Sequence, residues 1–258
     1  SVLFGGFNQA LPDCLPAAPA GNNCIVNVMT TDERNGRTII AAVNPVVGGG
    51  GGMPYRDGTN GSGADAGYLK NTPIEITETE TPIEFIKYGL ARDSGGPGRW
   101  RGGLATEMAF KVFAPDSRIT ARNRDRSRFR PWGTLGGRAA GLSDMGLNPG
   151  TPDYRHLGNI DTAVLQPGDV LDIRSAGGGG RGNPMEREVW RVAQDVTRGY
   201  VSAEAAEREY GVVIRDGAVD DEATAKLRAS APVPSEHFHY GDERTSYEAQ
   251  WTPAAYDL

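Results

Sequence analysis

Five consecutive glycines, Gly48 to Gly52, and a second run from Gly177 to Gly180 constrain this chain more than any other feature. Ordering an all-glycine stretch costs more backbone entropy than ordering any other sequence. Such a run is therefore either a loose tether or is packed closely against another backbone or a ligand, and the sequence leaves both open. Glycine numbers 36 of 258 residues and comes in clumps without a fixed period. That excludes collagen-like and repeat architectures and points instead to tight turns and close backbone approaches between strands.

The clump at Ser94-Gly-Gly-Pro97-Gly98 leads into the longest alternating segment. Leu104, Thr106, Met108, Phe110 and Val112 share one face there, with Glu107 and Lys111 on the other, which describes a half-buried strand. Arg99 and Arg101 stand where turn becomes strand, with Trp100 pointing the opposite way. They read either as a solvated strand edge beside a buried Trp or as two guanidinium forks on one rigid edge. Asn35-Gly36 between Ile25–Thr30 and Arg37–Asn44 signals a hairpin. Further strands are expected at Ile74–Glu78, at Ile83–Leu90 with both faces covered, and at Ser117–Asn123, Thr162–Leu165 and Val170–Arg174. A helix is expected from Met185 to Arg198, ended by Gly199. A second is capped by Ser202 and stopped by Gly211, and a third lies within Ala218–Arg228. Residues 232–258 read as a polar tail that wraps over a neighbour.

The fold class is therefore α+β, mainly β-rich with long glycine-rich loops, followed by a small helical hairpin and a polar tail. The divisions are 1–184 for the β-rich domain, 185–230 for the helical segment and 231–258 for an extended tail docking on a partner. Two cysteines, Cys14 and Cys24, cannot make a disulfide framework. With no apolar run of membrane length and no secretory signal, the chain reads as soluble and cytoplasmic. A formal charge of −6 argues against nucleic acid as the main partner.

Chemistry-bearing residues are few. Arg122, Arg124, Arg126 and Arg128 fall on alternate positions, so an extended segment would place them on one side, facing solvent, an acidic partner subunit or phosphates. Gly177, Gly179 and Gly182 satisfy G-x-G-x-x-G between a strand and a helix, a weak match because so glycine-rich a run satisfies it by chance. His237 and His239 read as a surface pair and only poorly as metal ligands. Ser1 is explained by removal of an initiator methionine before a small residue; the sharper alternative is an N-terminal nucleophile using its own amine as base. Arg56-Asp57 reads as a salt-bridged turn or as a polar pair facing a substrate.

Several motifs occur in a specific order: N-T-P-I-E at Asn71–Glu75, D-S-G-G-P-G-R-W-R-G-G at Asp93–Gly103, R-F-R-P-W-G at Arg128–Gly133, P-G-D-V-L at Pro167–Leu171 and G-G-G-G-R-G-N-P at Gly177–Pro184. Together with V-S-A-E-A-A and Y-G-V-V-I further on, this set resembles the hydantoinase B/oxoprolinase family from about Leu11 to Ile214. Family members are much longer, and the chain looks like the carboxyl-terminal half of the B-type subunit. The resemblance implies a subunit of an ATP-dependent hydantoinase, oxoprolinase or lactamase complex that activates a cyclic amide by phosphorylation and hydrolyses it. An ATP-dependent ketone carboxylase of the acetone or acetophenone type and a noncatalytic scaffold half are the alternatives. ATP and Mg are then expected in a hydantoinase A-like partner. Zn or another divalent metal is expected in the polypeptide that carries the amino-terminal half, and none on this chain alone. Arg56, Asp57, Asn71, Arg99 and Arg101 are the candidates for substrate or anion contact, and Arg122, Arg124, Arg126 and Arg128 for an interface; no catalytic residue is assigned.

Overall fold

The computed structural model describes residues 2–21, 24–62, 72–122, 126–158 and 160–250. Its strands are β1 (Cys24–Asp32), β2 (Arg37–Val46), β3 (Ile83–Leu90), β4 (Thr106–Val112), β5 (Ser117–Arg122), β6 (Gly133–Thr134), β7 (Asp144–Leu147), β8 (Arg155–His156), β9 (Thr162–Leu165), β10 (Val170–Arg174), β11 (Ile214–Arg215), β12 (Ala218–Val219) and β13 (Phe238–His239). The helices are α1 (Val2–Ala10), α2 (Ile74–Glu80), α3 (Val189–Thr197), α4 (Ala203–Tyr210), α5 (Asp221–Ala229) and α6 (Asp242–Ala249). The architecture is α+β.

Two antiparallel sheets, ordered β2-β1-β5-β9 and β3-β4-β10-β7-β8, pack face to face. Alternation explains their core. Val26, Val28, Ile119 and Leu165 project from one sheet onto Met108, Phe110, Leu171 and Ile173 from the other, all nearly inaccessible to solvent. The β1–β2 hairpin forms at Asn35-Gly36 as expected. Gly36 takes a left-handed φ of 70°, and the Asp32 carboxylate gathers the Arg34 amide and guanidinium and the Asn35 side chain over the turn.

Three local expectations are corrected. Ile74–Glu80 is a helix, because Pro73 opens it by accepting from the Ile76 amide, and five residues of alternation cannot separate the two periods. β3 is buried on one face only. A register shift between Phe85 and Lys87 bulges Ile86 outward, leaving it 56% exposed at the sheet edge. The helix expected from Met185 is split into a 3-10 turn, Pro184–Glu186, and α3, with Arg187 extended between them (φ −63°, ψ 130°). The second helix is as expected: Ser202 accepts from the Ala205 amide, and Gly211 closes it at φ 61°.

The glycine runs form a third layer. The amides of 177 and 180 donate to Gly141 and Arg138, those of 178 and 181 to Gly103 and Trp100, and that of 179 to Ala18. Partners recurring every third residue are the mark of a polyproline II-like chain, which has no internal hydrogen bonds and must find them in neighbours. Gly49 and Gly52 donate in turn to Ala176 and Gly179. A Cβ at Gly49, Gly51, Gly102 or Gly178 would lie far inside 3.0 Å of the carbonyls of Gly103, Ala17, Gly178 and Gly50. The five-glycine run is thus ordered, and it is ordered against backbone.

Residues 231–250 fold back on this chain rather than extending. β13 pairs with β6, Phe238 packs edge-on against Trp132 at 4.9 Å, and Arg130 grips the Glu243 carboxylate on α6 at 2.6–2.8 Å.

Candidate functional site

Where the glycine bundle meets α3 and α4, four charged side chains interlock. Arg187, 1% exposed, holds Asp57 with both ends of its guanidinium, Nη1–Oδ1 and Nη2–Oδ2 each 2.7 Å, and its Nη2 also reaches Asp195 at 2.8 Å. Arg101 approaches Asp195 from the other side, Nε–Oδ2 3.3 Å, while its backbone amide donates to Asp57. Its Nη1 donates to the Gly102 carbonyl at 2.7 Å, and its guanidinium lies over the Tyr200 ring at 5.5 Å. Burial works against the Asp57 charge, but the Arg187 hydrogen bonds, with Arg101 behind them, outweigh it and hold this carboxyl below the usual range. Burial likewise disfavours the Arg187 cation, and Asp57 and Asp195 more than restore it. Tyr210, wholly buried beside them, has its phenol pushed up by burial.

Behind Tyr210 opens a polar cleft of about 290 Å³. Gly95, Pro97 and Gly141 of the bundle form one wall, Val201, Ala205 and Arg208 of the helical hairpin the second, and His239 with Asp242 of the folded-back tail the third. The Nδ1 of His239 accepts from the Ala139 amide at 3.1 Å, so the neutral ring carries its proton on Nε2. Arg138 and Arg208 flank Glu209, at 3.6 and 2.8 Å.

The expected site residues do not converge. Asp57 and Arg101 meet inside the ion cluster, whereas Arg56 and Arg99 are exposed, Arg99 lying 4.0 Å from Glu186. Arg101 is 3% exposed, so the two forks expected on one rigid edge are separated, and Trp100 is only half-buried. Asn71, Arg124 and Ser1 lie outside the described residues. Among the described residues, the chain turns at Arg126 (φ 65°), so the extended alternation of β5 does not hold there. Arg122 is exposed at the end of β5, Arg126 donates to the Ala20 carbonyl, and Arg128 stacks on Tyr247 at 4.5 Å. His237 and His239 are half-buried and hydrogen-bonded, to Asn8 and Ala139, and are not a surface pair. Arg187 and Asp195 were missed. The available signal was Asp195 itself, three residues after Val192 on the apolar stripe of its helix.

Two groups implied by the resemblance can be tested against these residues. The amides of Gly177, Gly179 and Gly182 all donate to backbone carbonyls, so the loop does not fit a phosphate. Among the described residues no three of His, Cys, Asp and Glu converge on a point where a metal ion could sit. Neither group fits these residues, and no chemical step is derived through either.

A two-sheet sandwich clasped by a threefold glycine bundle and an ion-locked helical cap defines the structural class. The chain belongs to the hydantoinase B/oxoprolinase family, whose model matches residues 1–184. It is 34% identical over 233 residues to an uncharacterized protein of Methanocaldococcus jannaschii, a match covering 88% of this chain and 39% of that protein. It is 32% identical over 236 residues to the caprolactamase subunit beta of Pseudomonas jessenii, covering 86% and 39%. The crystal structure of the ATP-dependent caprolactamase from that organism superposes with a TM-score of 0.67 at 26% identity, over 87% of this chain and 40% of that one. The nucleotide-free acetone carboxylase structure shares the fold, with a TM-score of 0.66 at 22% identity over 91% and 35%. The chain thus spans about two fifths of the relatives it matches. Among the described residues, no helix is long and apolar enough to cross a membrane.

Proposed function

We propose that this chain is part of an ATP-dependent hydantoinase, oxoprolinase or lactamase-type complex in which a cyclic amide is activated by phosphorylation and hydrolysed. The observation that carries this reading is the likeness to caprolactamase in both sequence and fold. The chain's part is to supply one rigid wall of the reaction chamber. The glycine bundle holds loops at backbone-contact distance, and the Asp57–Arg187–Asp195–Arg101 lock joins them to the helical cap, so that water can be kept from a labile phosphorylated intermediate. ATP and Mg belong to a hydantoinase A-like partner and the divalent metal to a polypeptide with the amino-terminal half. Arg56 and Arg99 are the exposed candidates for anion contact, and Arg122, Arg124, Arg126 and Arg128 for contact with a partner. Asp57 and Arg101 act structurally.

Assaying ATP hydrolysis by the native complex with hydantoins, 5-oxoproline and lactams tests this reading, and stimulation by any of them is the expected result. Stimulation only by ketones with bicarbonate would establish the carboxylase reading, which the likeness to the acetone carboxylase alpha subunit of Xanthobacter autotrophicus, 27% identical over 195 residues, favours. If Arg56→Ala and Arg99→Ala leave turnover intact in an assembled complex, the chain is a scaffold without substrate contact.

A further inference from the structure

We infer that the cleft between the glycine bundle, the helical hairpin and the tail binds a short aliphatic carboxylate. Donors converge there unspent. Each of Arg138 and Arg208 offers one nitrogen to Glu209, and their remaining guanidinium nitrogens make no hydrogen bond among the described residues, with the Asp93 carboxylate acting on Arg208 only through its charge. His239 is locked by the Ala139 amide into the tautomer that presents an N–H at Nε2, and that group is also without a partner among the described residues. Two guanidinium forks and an imidazole N–H are the donor set that recognises a carboxylate. Between these donors, Pro97 of the bundle and Val201 and Ala205 of the helical hairpin offer apolar surface for a hydrocarbon body. The charge balance selects among anions. Arg130 is taken up by Glu243, and Arg138 and Arg208 face Asp93, Glu209 and Asp242 along the lining, so the cleft carries no net positive charge to offset the larger desolvation cost of a phosphate dianion, and a singly charged head group costs less to bury. At about 290 Å³ the space suits a small metabolite.

The natural ligand's identity rests on the functional reading above: opening a cyclic amide with water breaks the C–N bond and leaves a carboxylate and an amine, and carboxylating a ketone also ends in a carboxylate. The test does not depend on turnover. The chain of residues 1–258 is titrated with sodium hexanoate and followed by calorimetry and amide chemical shifts, with hexanol and inorganic phosphate as comparisons. Saturable hexanoate binding is expected, with shifts at Arg138, Arg208 and Ala139, and neither comparison should compete. Arg208→Gln and Arg138→Gln replace exposed side chains, and each is expected to weaken binding about tenfold, as for loss of one charge-assisted hydrogen bond. His239→Asn retains an acceptor for the Ala139 amide but removes the Nε2 donor, and should weaken binding at an unchanged melting temperature. Failure of hexanoate to saturate, equal affinity for phosphate or hexanol, or unchanged affinity in all three folded variants would overturn the assignment. In any of those cases, turnover by the native complex would leave the functional reading standing.

Discussion

Arg187 and Asp57 meet end to end, with two 2.7 Å hydrogen bonds, across 130 residues of sequence, and that contact locks the helical cap to the glycine bundle. The Arg187 Nε has no acceptor among the described residues, so the pair is held by its fork alone.

Arg187→Met should therefore be among the most damaging substitutions in the chain. It strands Asp57 and Asp195 without their main cation, and breaking a buried pair from one side typically costs about 3–5 kcal/mol. Urea denaturation measures this. Arg187→Lys is expected to rescue only part of the loss, since a point charge cannot make the fork.

Glycines of different surroundings should respond oppositely to the same methyl group. Gly178→Ala drives a Cβ into the Gly50 carbonyl within the bundle, where only backbone can yield. It is expected to prevent folding or to lower the melting temperature sharply. Gly89→Ala, in β3, meets nothing within 4 Å and should stabilise by about 0.5–1 kcal/mol, the amount an interior strand glycine costs relative to alanine. Thermal melts of both variants decide the matter.

Two aspartates should give pH dependences of opposite sign. Asp57 titrates lower when folded, so its contribution is present above the usual carboxylate range near 4 and is lost as pH falls through its folded pKa. Asp172 titrates higher when folded, chiefly through burial, with Glu107 and Asp144 adding to the rise and Lys87 opposing it. Its contribution is present at acid pH and is lost as pH rises through its folded pKa. Asp172→Asn should therefore be more stable than the parent at pH 7, and Asp57→Asn less stable. Both differences should shrink toward pH 3, as chemical denaturation across that range will show.

Glu243→Gln should loosen the tail without unfolding the body. The Arg130–Glu243 pair is about one-third exposed on each side, which limits its worth to roughly 1 kcal/mol. Phe238 on Trp132 and the β13–β6 pairing remain. Limited proteolysis is expected to cut faster within residues 231–250, with cleavage elsewhere unchanged.

Much of the sandwich was legible because side-chain period and turn chemistry are local. The Asn35-Gly36 hairpin, the buried face from Leu104 to Val112, the strands at Thr162 and Val170, and the caps at Ser202 and Gly211 each follow from a few adjacent residues. The strand expected at Ile74–Glu78 is a helix, which so short a segment does not reveal because it satisfies both periods, and Ile86 is exposed by a bulge, which leaves no mark on composition. The cleft was illegible for a different reason. Its walls come from Gly95, Arg138, Arg208 and His239, which no pattern connects.

By itself the sequence determined that its glycine runs must either stay loose or lie against something close, and that five ordered motifs mark one family. Only the tertiary structure decided that the something is other backbone. The lack of a Cβ at Gly49 permits a close approach, but Gly103 was brought there by the fold. In the same way Arg101 is buried in an ion cluster, because a guanidinium is held by the carboxylates around it, and Asp195 arrives from a helix 94 residues away.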